Sequence, residues 1–282
     1  MTTLIIVTII YEVNEFPSTS RRPTLNTLVL DSFASFGVAI RPLLIATALF
    51  GLWRGLRRTA LPRRTQLVTW LIIAVPLILW FVLILELALA GFFVARPGGR
   101  VPGIPLAVVI PLVTGLLLIT RSTRMAAVAD ATPLPWLIGF QVFRVLGSVF
   151  LFQWAAGRLP GVFAIPAGIG DVLVGLLALP VAFYLGSGRP GGRAVAYAWN
   201  LLGILDLAVA LTLGFLSSPT RFQILALEAP NRLVGAYPLV MIPAFAVPLA
   251  LILHGLSLWQ LRRSGRRAGY GEPAKILAKT GS

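Results

Sequence analysis

Seven apolar runs, of 19 to 30 residues, restrict the fold of this chain more than any other feature. A helix needs about 20 apolar residues to cross the hydrocarbon core of a bilayer, since each residue adds about 1.5 Å. Short breaks rich in arginine, glycine or proline separate the runs. The predicted spans are Phe33–Trp53, Gln66–Ala95, Pro102–Thr120, Pro135–Gly157, Gly161–Gly186, Ala194–Ser217 and Pro238–Gln260. The sequence therefore predicts an all-α, polytopic integral membrane protein with about seven transmembrane helices.

The composition excludes most soluble classes of protein. Charged residues make up 12% of the chain and hydrophobic residues 57%, whereas a soluble domain averages about 25% charged residues. The net charge of +15 does not indicate nucleic-acid binding, because the arginines lie in short loops where they report topology and contact anionic lipid headgroups. The absence of cysteine and the single histidine, His254, exclude thiolate and multi-histidine sites. We predict neither a metal nor a cofactor.

The distribution of basic residues predicts the orientation of the helices. Fifteen Lys and Arg residues fall on one side of the predicted bundle, in loops and the C-terminal tail, and seven fall on the other side. Cytoplasmic loops carry the excess of basic residues in membrane proteins. We therefore predict an external N-terminus, a cytoplasmic C-terminus and a multi-pass location in the cell membrane. Anionic lipid headgroups are the expected partners of the basic inner loops and tail.

Three regions are predicted along the chain. Residues 1–32 form an external or interfacial segment, because their first apolar stretch is too short to span a bilayer. Residues 33–260 form the transmembrane domain, and residues 261–282 form a basic cytoplasmic tail. Glycines and prolines at the start of the fifth span predict that its outer third is unwound, and three prolines predict a kink in the seventh.

Six ionisable residues lie inside the predicted spans, where a charge costs about 2.5–3.5 kcal/mol and usually serves a function. They are Arg41, Glu86, Arg144, Asp171, Asp206 and His254. Position along each span places Arg144, Asp171 and Asp206 near the midplane, about 15 Å deep. Arg41 and Glu86 lie in the outer third of the first two spans and are predicted to form a structural pair. His254, in the inner third of the last span, is predicted to be a hydrogen-bonded core residue rather than a proton relay.

Polar and small residues accompany the three midplane charges at helical spacing. One face of the fourth span carries Gln141, Arg144 and Ser148; one face of the fifth carries Gly168, Asp171 and Gly175; one face of the sixth carries Asn200, Gly203 and Asp206. Small residues allow helices to approach closely. The predicted substrate- or proton-binding residues are Arg144, Asp171, Asp206, Gln141 and Asn200.

The charges at this predicted site favour a small-molecule or proton-coupled transporter or binding protein. One arginine faces two aspartates, so one carboxylate is in excess and can load and release a proton within the membrane. Arg144 would also bind an anionic group of a small-molecule or lipid substrate through two parallel hydrogen bonds. A salt bridge that only fixes the packing of the helices is an alternative interpretation.

Residues 168–171 read Gly-Ile-Gly-Asp, which resembles the GxGD signature of the intramembrane aspartyl proteases. The resemblance implies that Asp171 and Asp206 form a carboxyl pair that shares a proton and activates water. In a second enzymatic alternative, the same two carboxyls act as acid and base on a prenyl or acyl lipid in an apolar cavity. Asp171 and Asp206 are thus the candidate catalytic residues if the chain is an enzyme.

Overall fold

The computed structural model describes residues 42–43, 45–59, 61–97, 103–121 and 132–279, without the side chains of residues 119–120 and 264–279. The described residues form helices joined by turns and contain no strand. Five helices are long and apolar enough to cross a membrane. The prediction of an all-helical fold is confirmed for the described residues, and five of the helices have the length and composition of membrane spans. The predicted segment 1–32 and the start of the first predicted span lie outside the described residues.

The helices are numbered in chain order. They are α1 (Ile45–Leu56), α2 (Arg63–Leu89), α3 (Ile104–Arg121), α4 (Leu134–Ala155), α5 (Gly161–Gly186), α6 (Gly192–Ser217) and α7, which starts with a π-helical turn at Ile242–Ala246 and continues as Val247–Lys279. The five long apolar helices are α2, α4, α5, α6 and the part of α7 up to Arg263. They coincide, within a few residues, with five of the predicted spans.

Helix α5 packs against α4 and α6, and α7 packs against α3, α6 and the first part of α4. Buried apolar side chains such as Ile138, Val174 and Leu261 fill the space between α4, α5, α6 and α7. The outer surfaces are also apolar: Leu79 on α2 is 62% exposed and Phe183 on α5 is 77% exposed. Apolar residues on both the inner and outer surfaces are what a hydrocarbon solvent allows.

The two ends of the bundle are named here after their loops. At the Gly157 end, α4 connects to α5 through residues 156–160, α6 ends and α7 begins. At the Gly188 end, α5 connects to α6 through residues 187–191. The long connection between α6 and α7 is anchored by the buried Asn231, whose backbone N–H donates to the Ser217 carbonyl (2.8 Å) and whose Oδ1 accepts from the Val234 N–H (3.2 Å).

The predicted unwinding at the start of α5 is wrong. Residues Gly161–Gly186 form one continuous α-helix that includes Pro166 and Pro180. An unwound turn facing lipid or apolar side chains would leave backbone N–H and C=O groups without partners, which is costly where there is no water to bind them. In α7, by contrast, the backbone departs from α-helical geometry in the π-helical turn that contains Pro243.

Helix α4 contains a long 3-10 segment that the sequence did not predict. Its middle, Phe140–Ser148, has 3-10 geometry, between α-helical turns at Leu134–Gly139 and Val149–Ala155. A 3-10 helix has three residues per turn, so that side chains at i and i+3 lie directly above one another. This winding aligns Gln141, Arg144 and Gly147 on one face of α4.

Candidate functional site

The 3-10 segment of α4 decides which residues of this helix meet α5. Sequence spacing on an α-helix predicted that Ser148 shares the face of Arg144. In the structure Gly147 has that place instead, because 3-10 winding repeats every three residues. The Asp171 side chain lies directly against Gly147, leaving no room for a side chain there.

Arg144 lies between the two aspartates and is 3% exposed. Its Nε donates to Asp171 Oδ1 at 2.8 Å, and its Nη2 donates to Asp206 Oδ2. Its Nη1 donates to the Gly203 carbonyl at 3.3 Å. The guanidinium therefore joins α4, α5 and α6 through charge-assisted hydrogen bonds, which are about twice as strong as neutral ones. We call Arg144, Asp171, Asp206 and His254 the charged cluster.

His254 on α7 completes this cluster, and it is fully buried. Its Nε2 lies 3.3 Å from Arg144 Nη1, and its Nδ1 lies 2.9 Å from Asn200 Oδ1. An arginine can only donate hydrogen bonds, so His254 Nε2 must accept, and the ring proton is carried by Nδ1 and donated to Asn200. Asn200 Nδ2 then donates to Ser257 Oγ at 2.9 Å and to the Ala196 carbonyl at 2.7 Å.

Glycines on three helices make room for these side chains. A Cβ atom added at Gly147 would collide with Asp171, one at Gly170 with Asp206, and one at Gly203 with the His254 ring. Gly175 lies against the backbone of α4, where an added Cβ would be 2.7 Å from the Val145 nitrogen. The second glycine of the Gly-Ile-Gly-Asp string thus has a packing role, because it provides the space that Asp206 occupies.

An apolar cavity reaches the charged cluster from the Gly157 end of the bundle. Its volume is about 250 Å³, and it lies between α3, α4, α5, α6 and α7. Phe150, Phe163, Phe215 and other apolar side chains line it, and Asp171 is its one ionisable residue among those described. Ser218 and Val234 mark its extent toward the Gly157 end. Arg144 does not line this cavity. The ionisable group that the cavity presents is therefore the carboxyl group of Asp171.

Toward the opposite end of the bundle, a line of buried polar side chains on α7 lies beside the apolar core. Ser257 and Gln260 follow His254 along the buried side of α7, at the spacing of successive helical turns. Ser257 Oγ accepts from Asn200, and Gln260 Nε2 donates to the Thr132 carbonyl at 3.0 Å. The charged cluster therefore separates an apolar cavity toward the Gly157 end from a line of buried polar side chains toward the Gly188 end.

The remaining sequence-predicted residues are placed as follows. Gln141 is fully buried, but its amide atoms have no hydrogen-bond partner among the described residues, so it does not join the charged cluster. Glu86 is exposed on α2, and its predicted partner Arg41 lies outside the described residues. Within the described part of the chain, no three His, Asp or Glu side chains are grouped as they would be in a metal site.

His254 and Ser257 are the site residues that the sequence analysis did not include. His254 was placed in the inner third of its span because the span was predicted to begin at Pro238. The helix begins at Ile242 instead, which brings His254 to the middle of its apolar part, level with Arg144. The signal was present in the sequence, since His254, Ser257 and Gln260 recur every three residues in an otherwise apolar run.

Residues 101–262 match a family described as a domain of unknown function (DUF8737). The chain belongs to this family. The matched region contains α3 to α6, the apolar part of α7 except its last residue, and every member of the charged cluster. Searches among curated proteins and among solved structures find no match to this chain.

Removal of the histidine should destabilise the family region of the bundle. In a His254→Leu variant Asn200 Oδ1 loses its donor in a buried site, and such a loss costs about 1–3 kcal/mol. We expect a lower melting temperature in detergent, measured by nanoDSF. His254→Gln, whose amide can still donate to Asn200, should lose less; equal losses in both variants would argue against the hydrogen-bond network as the cause.

Proposed function

We propose that this chain is a multi-pass membrane protein that binds a small molecule in the cavity ending at Asp171 and transports it coupled to a proton. One observation carries the proposal: a cavity of about 250 Å³ in the membrane-spanning bundle ends on a carboxylate of a charged cluster. Ligand sites in membrane transporters lie near the midplane, between helices. Ionisable residues that face such cavities typically mark substrate pathways and proton relays.

The charges of the cluster support coupling to a proton. Arg144 contributes one positive charge, Asp171 and Asp206 contribute two negative charges, and the hydrogen bonds of His254 fit a neutral ring. One negative charge is therefore in excess within the membrane, where an uncompensated charge is costly. A proton or a ligand charge would neutralise it.

An enzymatic function is the less well supported alternative. Two carboxyls that act as an aspartyl protease dyad share a proton, which requires them to face each other. Here the Arg144 guanidinium binds one oxygen of each, Asp171 Oδ1 and Asp206 Oδ2. The two carboxyls are therefore bridged by a guanidinium rather than by a shared proton. The packing role of Gly170 against Asp206 also accounts for the glycine that carries the resemblance to the GxGD signature.

We further propose seven transmembrane helices, with α1 and α3 as the two additional spans, a cytoplasmic C-terminus and a location in the cell membrane. The Gly188 end would then face the cytoplasm, in agreement with the excess of basic residues on that side. The chain contains no cysteine, so a single introduced cysteine can be labelled without background.

A pair of cysteine variants tests this orientation. Ser187→Cys lies in the exposed loop at the Gly188 end, and Ala156→Cys lies in the exposed loop at the Gly157 end. A membrane-impermeant maleimide added to intact cells should label Ala156→Cys alone, and Ser187→Cys only after lysis. Labelling of Ser187→Cys in intact cells would reverse the proposed orientation.

The binding function is tested with three probes that share one apolar body. They are 2-phenylethylamine, 2-phenylethanol and phenylacetate, which are cationic, neutral and anionic at pH 7. Their size is appropriate, because a dry cavity of about 150 Å³ already holds a benzene molecule. We expect at least one probe to bind the protein in nanodiscs, measured by isothermal titration calorimetry. In proteoliposomes that contain a pH dye, this probe should also move protons.

Two matched variants of α6 provide the control. Ala210 lines the cavity, whereas Ala208 is exposed on the outer surface of the same helix. Ala210→Phe should abolish binding and probe-driven proton movement, and Ala208→Phe should leave both unchanged. Passive permeation of the probe is the same in both preparations. Binding that survives in Ala210→Phe, or the absence of binding by all three probes, would contradict the proposed function.

A further inference from the structure

We infer that the ligand of this cavity is a small apolar amine, bound as its cation, which exchanges with a proton on Asp171. The inference rests on the proposed function, since it assigns a ligand class to the same cavity. It follows from three features: the apolar lining, the carboxylate at its end and the excess negative charge of the cluster.

Among the described residues, the cavity is lined by one carboxyl group, that of Asp171, and by no positively charged side chain. Asp171 Oδ1 accepts the hydrogen bond from Arg144 Nε, and Asp171 Oδ2, which lies on the side of Gly147, has no hydrogen-bond donor among the described residues. Arg144 does not line the cavity, and its Nη groups bind Asp206, the Gly203 carbonyl and His254. This geometry therefore does not provide the expected site at which Arg144 would bind an anionic group through two hydrogen bonds. An ammonium group, with its three N–H donors, complements a carboxyl group that lines an otherwise apolar cavity.

The remaining surface of the cavity selects an apolar body. Apart from Asp171, Ser218 is the single polar residue among the described residues that line the cavity. Phe150 and Phe163 pack edge to face with their ring centroids 5.2 Å apart, and both line the cavity. Aromatic faces attract a desolvated cation, and apolar walls exclude the water that a strongly polar ligand would need. A ring with a short aminoalkyl chain has these properties.

Exchange with a proton follows from the groups that face Asp171. Arg144 approaches it from α4, Asp206 lies beyond the guanidinium on α6, and His254 contacts the guanidinium from α7. The lining residues from α3 are apolar. When the amine cation binds, the proton on the Asp171 carboxyl leaves to water, so that the cluster and its occupant keep the same total charge. One proton is thus released for each cation bound.

The three phenylethyl probes test this ligand class in protein-containing nanodiscs, with empty nanodiscs as a correction for partition into lipid. We expect 2-phenylethylamine to bind with a Kd at least about tenfold below that of 2-phenylethanol, and phenylacetate not to bind. The Kd of the amine, which stays protonated from pH 5 to pH 8, should rise as pH falls. Titrations in two buffers of different ionisation enthalpy should show release of about one proton per amine.

Asp171→Asn is the decisive variant, because asparagine keeps an oxygen that can accept from Arg144 Nε. In this variant the Kd values of the amine and the alcohol should lie within about twofold of each other. If the variant fails to fold, as judged by size exclusion and melting temperature, the pH series and the proton count of the wild-type protein decide. An amine Kd independent of pH, with no proton released, would overturn the inference.

The outcomes separate this inference from the proposed function. If the alcohol or phenylacetate binds as tightly as the amine, and Ala210→Phe abolishes that binding, the cavity is a ligand site and the amine class is wrong. If no probe binds, both the amine class and the proposed function are wrong.

Discussion

Replacement of Arg144 by methionine should destabilise the protein by about 3–5 kcal/mol, the largest effect that we expect from a single substitution. Arg144 is 3% exposed, and its guanidinium binds Asp171, Asp206 and the Gly203 carbonyl. Removing one partner of a buried ion pair leaves the other charge without compensation, and this loss exceeds the net worth of the pair. The free energy of unfolding can be measured by SDS titration in bicelles.

A compensated variant distinguishes loss of charge balance from loss of packing. The triple variant Arg144→Met, Asp171→Asn, Asp206→Asn has no charge left in this position, and buried ion pairs replaced as a whole by uncharged residues often retain stability. We expect it to recover most of the stability lost in Arg144→Met. If the triple variant is as unstable as the single one, the shape of the arginine side chain rather than its charge holds the helices together.

Substitution of Gly175 by alanine should cost about 1–3 kcal/mol, the range found for overpacked cores. An added Cβ would lie 2.7 Å from the Val145 nitrogen and 3.2 Å from the Arg144 carbonyl carbon. Both atoms belong to the backbone of α4, so no rotamer change relieves the overlap, and α4 has to move away from α5. We expect a lower melting temperature and, because Arg144 moves with its helix, weaker binding of the phenylethyl probes.

Gly255 provides the matched control for this substitution. It lies in the middle of the apolar part of α7, next to His254 in the sequence, and is exposed. A Cβ added there meets no atom within 4 Å. Alanine favours a helix by about 1 kcal/mol over glycine, so Gly255→Ala should be neutral or slightly stabilising. Equal melting temperatures for Gly175→Ala and Gly255→Ala would show that the α4–α5 contact tolerates a wider separation than the structure indicates.

The charged cluster divides the bundle into two unlike halves, and this asymmetry bears on coupling. Toward the Gly157 end an apolar cavity leads to Asp171. Toward the Gly188 end the hydrogen bonds run from His254 through Asn200 to Ser257. An organic molecule fits the cavity, whereas the line toward the Gly188 end consists of side chains that exchange hydrogen bonds within an apolar core. In the proposed function, the two halves would serve the ligand and the proton respectively.

Much of the architecture could be predicted from the sequence alone. Apolar runs of about 20 residues are sufficient to specify membrane-spanning helices, because backbone groups in hydrocarbon have no partners other than those within the helix. The same rule explains why the predicted unwinding of α5 is wrong: the local preferences of Pro166 and its neighbouring glycines are outweighed by the cost of unpaired backbone groups. Charged residues are so rare in such runs that Arg144, Asp171 and Asp206 stood out without any structure.

The tertiary structure alone decided how these charges meet and what they leave free. Whether a residue at position 147 or 148 faces Asp171 depends on 3-10 winding in the part of α4 that packs against α5, and this winding has no signature in composition or spacing. The start of α7 at Ile242 decided that His254 lies level with Arg144. Arg144 binds residues of α5, α6 and α7 and does not line the cavity, so a carboxyl group rather than a guanidinium faces it. Each of these depends on contacts between helices that are far apart in sequence, and the pattern within a single helix does not contain them.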